Sequence, residues 1–173
     1  MIVAVTKIRI CGGSGSGKSY LAQKISRHTK ITCTHLDHLR YDFSQTHKFI
    51  HKRSKKEFDK RVTKAASKSS WIIEGGYYNA TKDTYEQSDI IMYLRPVFIK
   101  RIYHTIKRFI TRIRDKKYEG VGSFIRLSIY NFSTRKKWQT TRLQLFRKRY
   151  SDKLHVFSSA DNAYEWFIAE SKK

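Results

Sequence analysis

The sequence predicts an α/β protein, a sandwich of helices around a parallel sheet. Three observations carry that prediction. Short β-prone runs alternate with longer charged segments of helical period along the chain. The run Ile90-Ile91-Met92-Tyr93-Leu94 is continuously apolar, which is the mark of a strand buried on both faces. The first run leads directly into a Gly/Ser-rich turn and then an amphipathic segment, so a strand, a loop and a helix follow one another without a break.

The elements follow in order. Lys7-Ile8-Arg9-Ile10-Cys11 reads as a strand that ends in the Gly12–Ser19 turn, and Tyr20 to His28 reads as a helix with Leu21 and Ile25 four apart. Arg9 stands in what should be the central strand, where a buried guanidinium needs partners. Ile31 to His35 is a short strand that ends at Leu36-Asp37. His47 to Lys68 lacks Gly and Pro and carries Phe49, Phe58, Val62 and Ala65 as a thin stripe, so a helix is expected there. Trp71 to Glu74 is a strand stopped by Gly75-Gly76, and Asp89 begins the apolar strand. Val97 to Arg114 is expected to be helical, with Phe98, Ile102, Ile106, Phe109 and Ile113 on one stripe and Arg101, His104, Arg108 and Arg112 on another. A polar break covers residues 115–122. Ser123 to Tyr150 is a second basic helix, packing through Phe124, Leu127, Tyr130, Leu143 and Phe146. Leu154 to Phe157 is a last strand, and Ala163 to Ala169 a closing helix.

Composition sets the limits. At 173 residues the chain fits one domain, 1–173. No stretch longer than eight residues lacks Asp, Glu, Lys and Arg, so no membrane-spanning helix fits. Cys11 and Cys33 are the two cysteines and have no metal-site spacing; small core residues in a reducing cytoplasm are the simplest reading. The net charge is +23, and residues 97–150 hold 16 Lys/Arg against two acids. Such a chain attracts polyanions. A solvated basic surface and a functional anion site both remain open for most of these charges.

Gly12-Gly13-Ser14-Gly15-Ser16-Gly17-Lys18-Ser19 fits the phosphate-loop pattern G-x-x-x-x-G-K-[ST], with a strand before it and a helix after it. Glycines let successive backbone N–H groups turn toward phosphate oxygens, and the new helix adds its positive end. Lys18 can reach β- and γ-phosphates, and Ser19 can offer its hydroxyl to Mg²⁺. Gly12, Gly13, Ser14, Gly15, Ser16, Gly17, Lys18, Ser19 and Tyr20 are therefore the nucleotide-binding candidates, with ATP and Mg²⁺ as the expected ligands.

Together with that loop, His35-Leu36-Asp37, Trp71-Ile72-Ile73-Glu74-Gly75-Gly76-Tyr77, Ser88 to Leu94, Tyr130-Asn131-Phe132 and Leu154 to Phe157 occur in order. The chain thereby resembles the adenylate-kinase-like P-loop family called DNA topology modulation proteins (FlaR-related). The resemblance implies a three-layer nucleoside-monophosphate-kinase-like fold with a five-stranded parallel sheet in the order 2-3-1-4-5. It also implies a small lid, here a short segment around 115–122, with arginines nearby. The chain departs from the family at Gly76, where Asn is usual, and at Tyr20, where Thr is frequent.

In an open parallel sheet, ligands bind beyond the carboxyl ends of the strands. Asp37 and Glu74 stand at two such ends. Asp37 is the candidate to hold a Mg²⁺-bound water or to accept a proton from a hydroxyl acceptor. Asp37, Glu74, Gly75 and Tyr77 are the acceptor-binding candidates, and Ser19 and Asp37 the metal candidates. Arg108 and Arg112, nearest the polar break, are expected to stabilise the transferred phosphoryl group alongside Lys18. Local turn bonds for the acids and a solvated face for the arginines are the plain alternatives. The expected function is a kinase that moves the γ-phosphoryl group of ATP to a small acceptor, with a nucleotide among the candidates. The alternative is a nucleotide-dependent nucleic-acid-binding protein that uses the basic region, whose Tyr118, Tyr130, Phe132 and Trp138 could stack on bases or simply pack.

Overall fold

The computed structural model describes residues 5–42, 51–97 and 137–171, together with Tyr103, Ile106, Lys107, Ile110 and Thr111, which are helical. Arg101, His104, Arg108, Arg112, the segment 115–122, Tyr118, Tyr130 and Phe132 lie outside the described residues, as does the side chain of Trp138.

The expected α/β sandwich is the architecture found. In chain order the elements are β1 (Lys7–Gly12), α1 (Lys18–Thr29), β2 (Cys33–His35), α2 (Leu36–Arg40), β3 (Tyr41–Asp42), β4 (His51–Lys52), α3 (Lys55–Ala66), β5 (Trp71–Glu74), a 3-10 turn (Tyr78–Ala80), α4 (Lys82–Glu86), β6 (Ile90–Leu94), α5 (Lys137–Arg149), β7 (Leu154–Phe157) and α6 (Ala160–Glu170). Five of the strands form one sheet in the order β2-β5-β1-β6-β7, and every neighbouring pair in it is parallel. Counted along the chain without the ribbon strands, that order is 2-3-1-4-5. The ribbon β3–β4 is a separate antiparallel pair.

Alternation along β1 divides the core. Ile8 and Ile10 face Leu21, Ala22 and Ile25 of α1 and Ala163 and Phe167 of α6. On the opposite face Cys11, Ile91 and Tyr93 pack with Leu143, Phe146 and Tyr150, and Trp71 and Ile73 pack on Phe58, Val62 and Ala66 of α3. The even spacing of β6 explains its unbroken apolarity: Ile90, Met92 and Leu94 serve one face, Ile91 and Tyr93 the other. Asp89 does more than begin that strand. Its Oδ2 accepts from the amides of Thr6 at 2.9 Å and Lys7 at 2.8 Å, joining the starts of β1 and β6.

The structure revises three local expectations. Helix α3 begins at Lys55 rather than near His47, because Ser54 caps it and accepts from the Glu57 amide at 3.2 Å. His51 and Lys52 belong to the ribbon instead. Ile106, expected on a packed stripe, is 43% exposed. Arg9 is fully buried, yet its partners are neutral. Its guanidinium donates to the carbonyls of Ile10 at 2.8 Å, Ile73 at 3.0 Å and Gly75 at 3.0 Å. It also donates to the hydroxyls of Thr84 at 3.1 Å and Thr81 at 3.4 Å, and lies 4.4 Å from the centre of the Tyr85 ring.

Candidate functional site

The site grows from the carboxyl edge of β1. Gly12 has φ +143°, and a Cβ there would run into the carbonyl of Leu94 on the neighbouring strand. Only glycine lets the chain leave the sheet this way. The loop then closes on itself: the Ser16 amide donates to the Gly13 carbonyl at 3.3 Å, and Lys18 Nζ donates to the same oxygen at 2.8 Å. Gly17 is the N-cap of α1 and no side chain caps that helix, which leaves its amide end to the loop. Ser16 Oγ is buried and has no hydrogen-bond partner among the described residues. A buried orphan hydroxyl in a loop that opens a helix fits an anionic oxygen ligand. Tyr20 points elsewhere. It is 52% exposed, and its hydroxyl donates to Asp161 Oδ1 of α6 at 3.3 Å.

Strand register brings the second part alongside. Glu74 lies opposite Ile10 of β1 and His35 of β2. Ser19 Oγ donates to Glu74 Oε1 at 3.0 Å, and His35 Nδ1 lies 2.7 Å from the same oxygen. Burial pushes the Glu74 carboxyl up, but His35, Lys18 and Ser19 outweigh it and hold the group below the ordinary glutamate range. Cys33 Sγ lies 3.8 Å from His35 Nε2. Cys33 and Glu74 together raise His35 to about 10, so the ring is an imidazolium at neutral pH and donates to Glu74. Cys33 therefore belongs to this chain of groups, whereas Cys11 is a buried core thiol pushed up to about 11 by burial.

The third part is the mouth between β2 and β5. Asp37 sits in the first turn of α2, two residues beyond the end of β2, and is exposed. Tyr77 donates to Asp37 Oδ1 at 2.8 Å. Burial first, then the Asp37 charge, pushes the Tyr77 phenol well above its usual range, so it remains a donor. Tyr77 also packs on Phe58 with ring centroids 5.3 Å apart. Gly75 has φ +140°, and a Cβ there would lie 2.8 Å from Leu36 Cβ. Its amide donates to the Ile10 carbonyl and its carbonyl accepts from Arg9. A Cβ on Gly76 would meet nothing within 4 Å.

Of the residues singled out from sequence, the structure brings Lys18, Ser19 and Glu74 together and sets Asp37 and Tyr77 beside each other at the same edge. Ser19 pairs with Glu74 rather than with Asp37. His35 escaped notice as a site residue: it stood in the quoted His35-Leu36-Asp37 segment, but only the strand register reveals that it faces Glu74. The lid arginines Arg108 and Arg112 lie outside the described residues.

The chain has a kinase-like P-loop fold. A gluconokinase from Sinorhizobium meliloti matches over 98% of this chain and 93% of its own, with TM-score 0.56 and 10% identity. A shikimate kinase from Acinetobacter baumannii matches over 98% and 95%, with TM-score 0.51 and 13% identity. A deoxyadenosine kinase from M. mycoides matches over 96% and 100%, with TM-score 0.51 and 16% identity. At these identities the likeness is one of fold. No family model matches the chain and no curated protein matches it.

Proposed function

We propose that this protein is an ATP-dependent phosphotransferase acting on a small acceptor. The observation that carries the reading is the Ser19–Glu74 hydrogen bond, which joins the phosphate loop to a carboxylate on the neighbouring strand end. In this reading the loop amides and Lys18 hold the triphosphate. Ser19 and Glu74, with Asp37 acting through water, supply the hard oxygen donors suited to Mg²⁺. These residues would hold the ion, which would supply positive charge against the phosphate oxygens. His35 holds Glu74 ionised and fixes its direction. Arg108 and Arg112 close over the transferred group from a lid around 115–122, and residues 1–173 act as one kinase-like domain in the cytoplasm. A nucleotide-phosphate acceptor would need no general base; for a hydroxyl acceptor Asp37 is the base.

The resemblance to the DNA topology modulation family rests on sequence motifs, and such a name does not define a substrate. The test is incubation with Mg²⁺-ATP and a mixed metabolite panel, followed by mass spectrometry. The reading expects one compound to gain a phosphoryl group as ADP appears. Bound ATP with no transfer would leave a nucleotide-binding protein instead, and the +23 charge would then favour a nucleic-acid partner.

A further inference from the structure

The segment that follows β6 combines basic and apolar residues without an acid. Residues 97–114 hold Lys100, Arg101, Lys107, Arg108, Arg112 and Arg114, together with nine apolar residues. Tyr103, Ile106, Lys107, Ile110 and Thr111 are helical, and their spacings of three and four put them on one helix face. That face meets solvent. Tyr103 is 59% exposed, Ile106 43% and Ile110 59%, and Lys107 and Thr111 are exposed beside them. The Thr111 hydroxyl donates to the Lys107 carbonyl at 3.0 Å, so its polar atom is satisfied along the helix. Val97, three residues past the end of β6, is exposed as well.

Exposed apolar side chains gathered on one face mark a surface that another phase or molecule covers. A basic helix with such a face matches the pattern of one that lies in a membrane interface. Its aliphatic groups enter the acyl boundary, and its lysines and arginines meet the headgroup charge. A tyrosine suits the headgroup level, where the ring is covered and the hydroxyl stays wet. Charge selects the surface. Anionic headgroups attract a polybasic segment, and the net charge of +23 adds to that pull. The same charge opposes a second copy of the chain as occupant. Nucleic acid would answer the cations, but its phosphate backbone offers no apolar site to Ile106 and Ile110. Among the described residues no helix is long and apolar enough to cross a membrane, so the contact is with the surface.

We propose that this helix docks the protein on an anionic lipid surface, with Tyr103, Ile106 and Ile110 at the acyl boundary and Lys107 and the segment's other basic residues supplying the attraction. The proposal is independent of the kinase reading: it concerns where the protein sits, whatever its phosphate loop does.

The test floats the full chain with vesicles of phosphatidylcholine, or of phosphatidylcholine with about 30% phosphatidylserine, at physiological salt. The variant carries Ile106→Gln with Ile110→Gln, which keeps the charge and suits a helix. Both positions are exposed, so its circular dichroism and urea midpoint should equal those of the parent. The expected result is that the parent floats with the serine-containing vesicles and not with phosphatidylcholine. The variant should bind the anionic vesicles at least about tenfold more weakly, with duplex DNA affinity within about twofold of the parent. No flotation with anionic vesicles, or equal flotation with both compositions, overturns the proposal. Equal vesicle affinity of parent and variant also overturns it, since charge would then act without the apolar face. Loss of DNA affinity in the variant, with vesicle affinity kept, assigns the face to nucleic acid and overturns it too.

Discussion

Arg9 shows how a single residue ties the fold to the site. A buried charge with no acid partner among the described residues survives because five neutral acceptors and an aromatic face surround it. Two of those acceptors, the Ile10 and Gly75 carbonyls, flank the Gly12–Ser19 loop and the strand end that carries Glu74. Lysine at this position keeps the charge but cannot span the same fork. Arg9→Lys should therefore lose on the order of 2 kcal/mol or more of stability in urea unfolding. The sequence shows that Arg9 is anomalous but not which groups receive it, since Gly75, Thr81 and Thr84 are more than sixty positions away. His35 adds a pH signature. Its folded value is raised from 6.5 to about 10, so its contribution to stability is complete below 6.5 and is lost as pH rises through about 10. The urea midpoint should fall across that alkaline window, and His35→Gln should flatten the fall.

At the scale of elements, legibility followed pattern length. β6 and α1 were readable because their apolar residues repeat at the period their packing demands. The ribbon β3–β4 was not, since two-residue strands carry no period. Helix α3 was readable in its body, and its start was encoded in Ser54 and Glu57 rather than in the apolar stripe. The turn after β5 was visible as Gly75-Gly76, yet only the structure separates their roles: Gly75 is conformationally obligatory and Gly76 faces open space. Gly75→Ala should cost about 1–3 kcal/mol, and under the proposed kinase function it should also weaken ATP turnover by displacing Glu74. Gly76→Ala should be close to neutral in stability. In α5, Phe146 is fully buried among Tyr78, Tyr85, Tyr93 and Tyr150. Phe146→Ala should cost about 3–5 kcal/mol, read in the same unfolding experiment.

For the whole molecule, charge and fold make separate statements. The +23 charge says that polyanions are attracted, without saying where. Weak, sequence-independent nucleic-acid binding that fades as salt rises is the expected consequence, checked by titration from low to physiological salt. Tight binding that survives physiological salt would move the function toward nucleic acid. The phosphate loop makes the sharper statement, since it assigns a residue to a ligand group. ATP, ADP and adenosine titrated into the parent protein and a folded Lys18→Ala variant test it most directly. The account predicts that ATP binds the parent far better than adenosine, and that Lys18→Ala loses most of that difference while its circular dichroism is unchanged. Equal affinity of the two proteins for ATP, or equal affinity of the parent for ATP and adenosine, would contradict it.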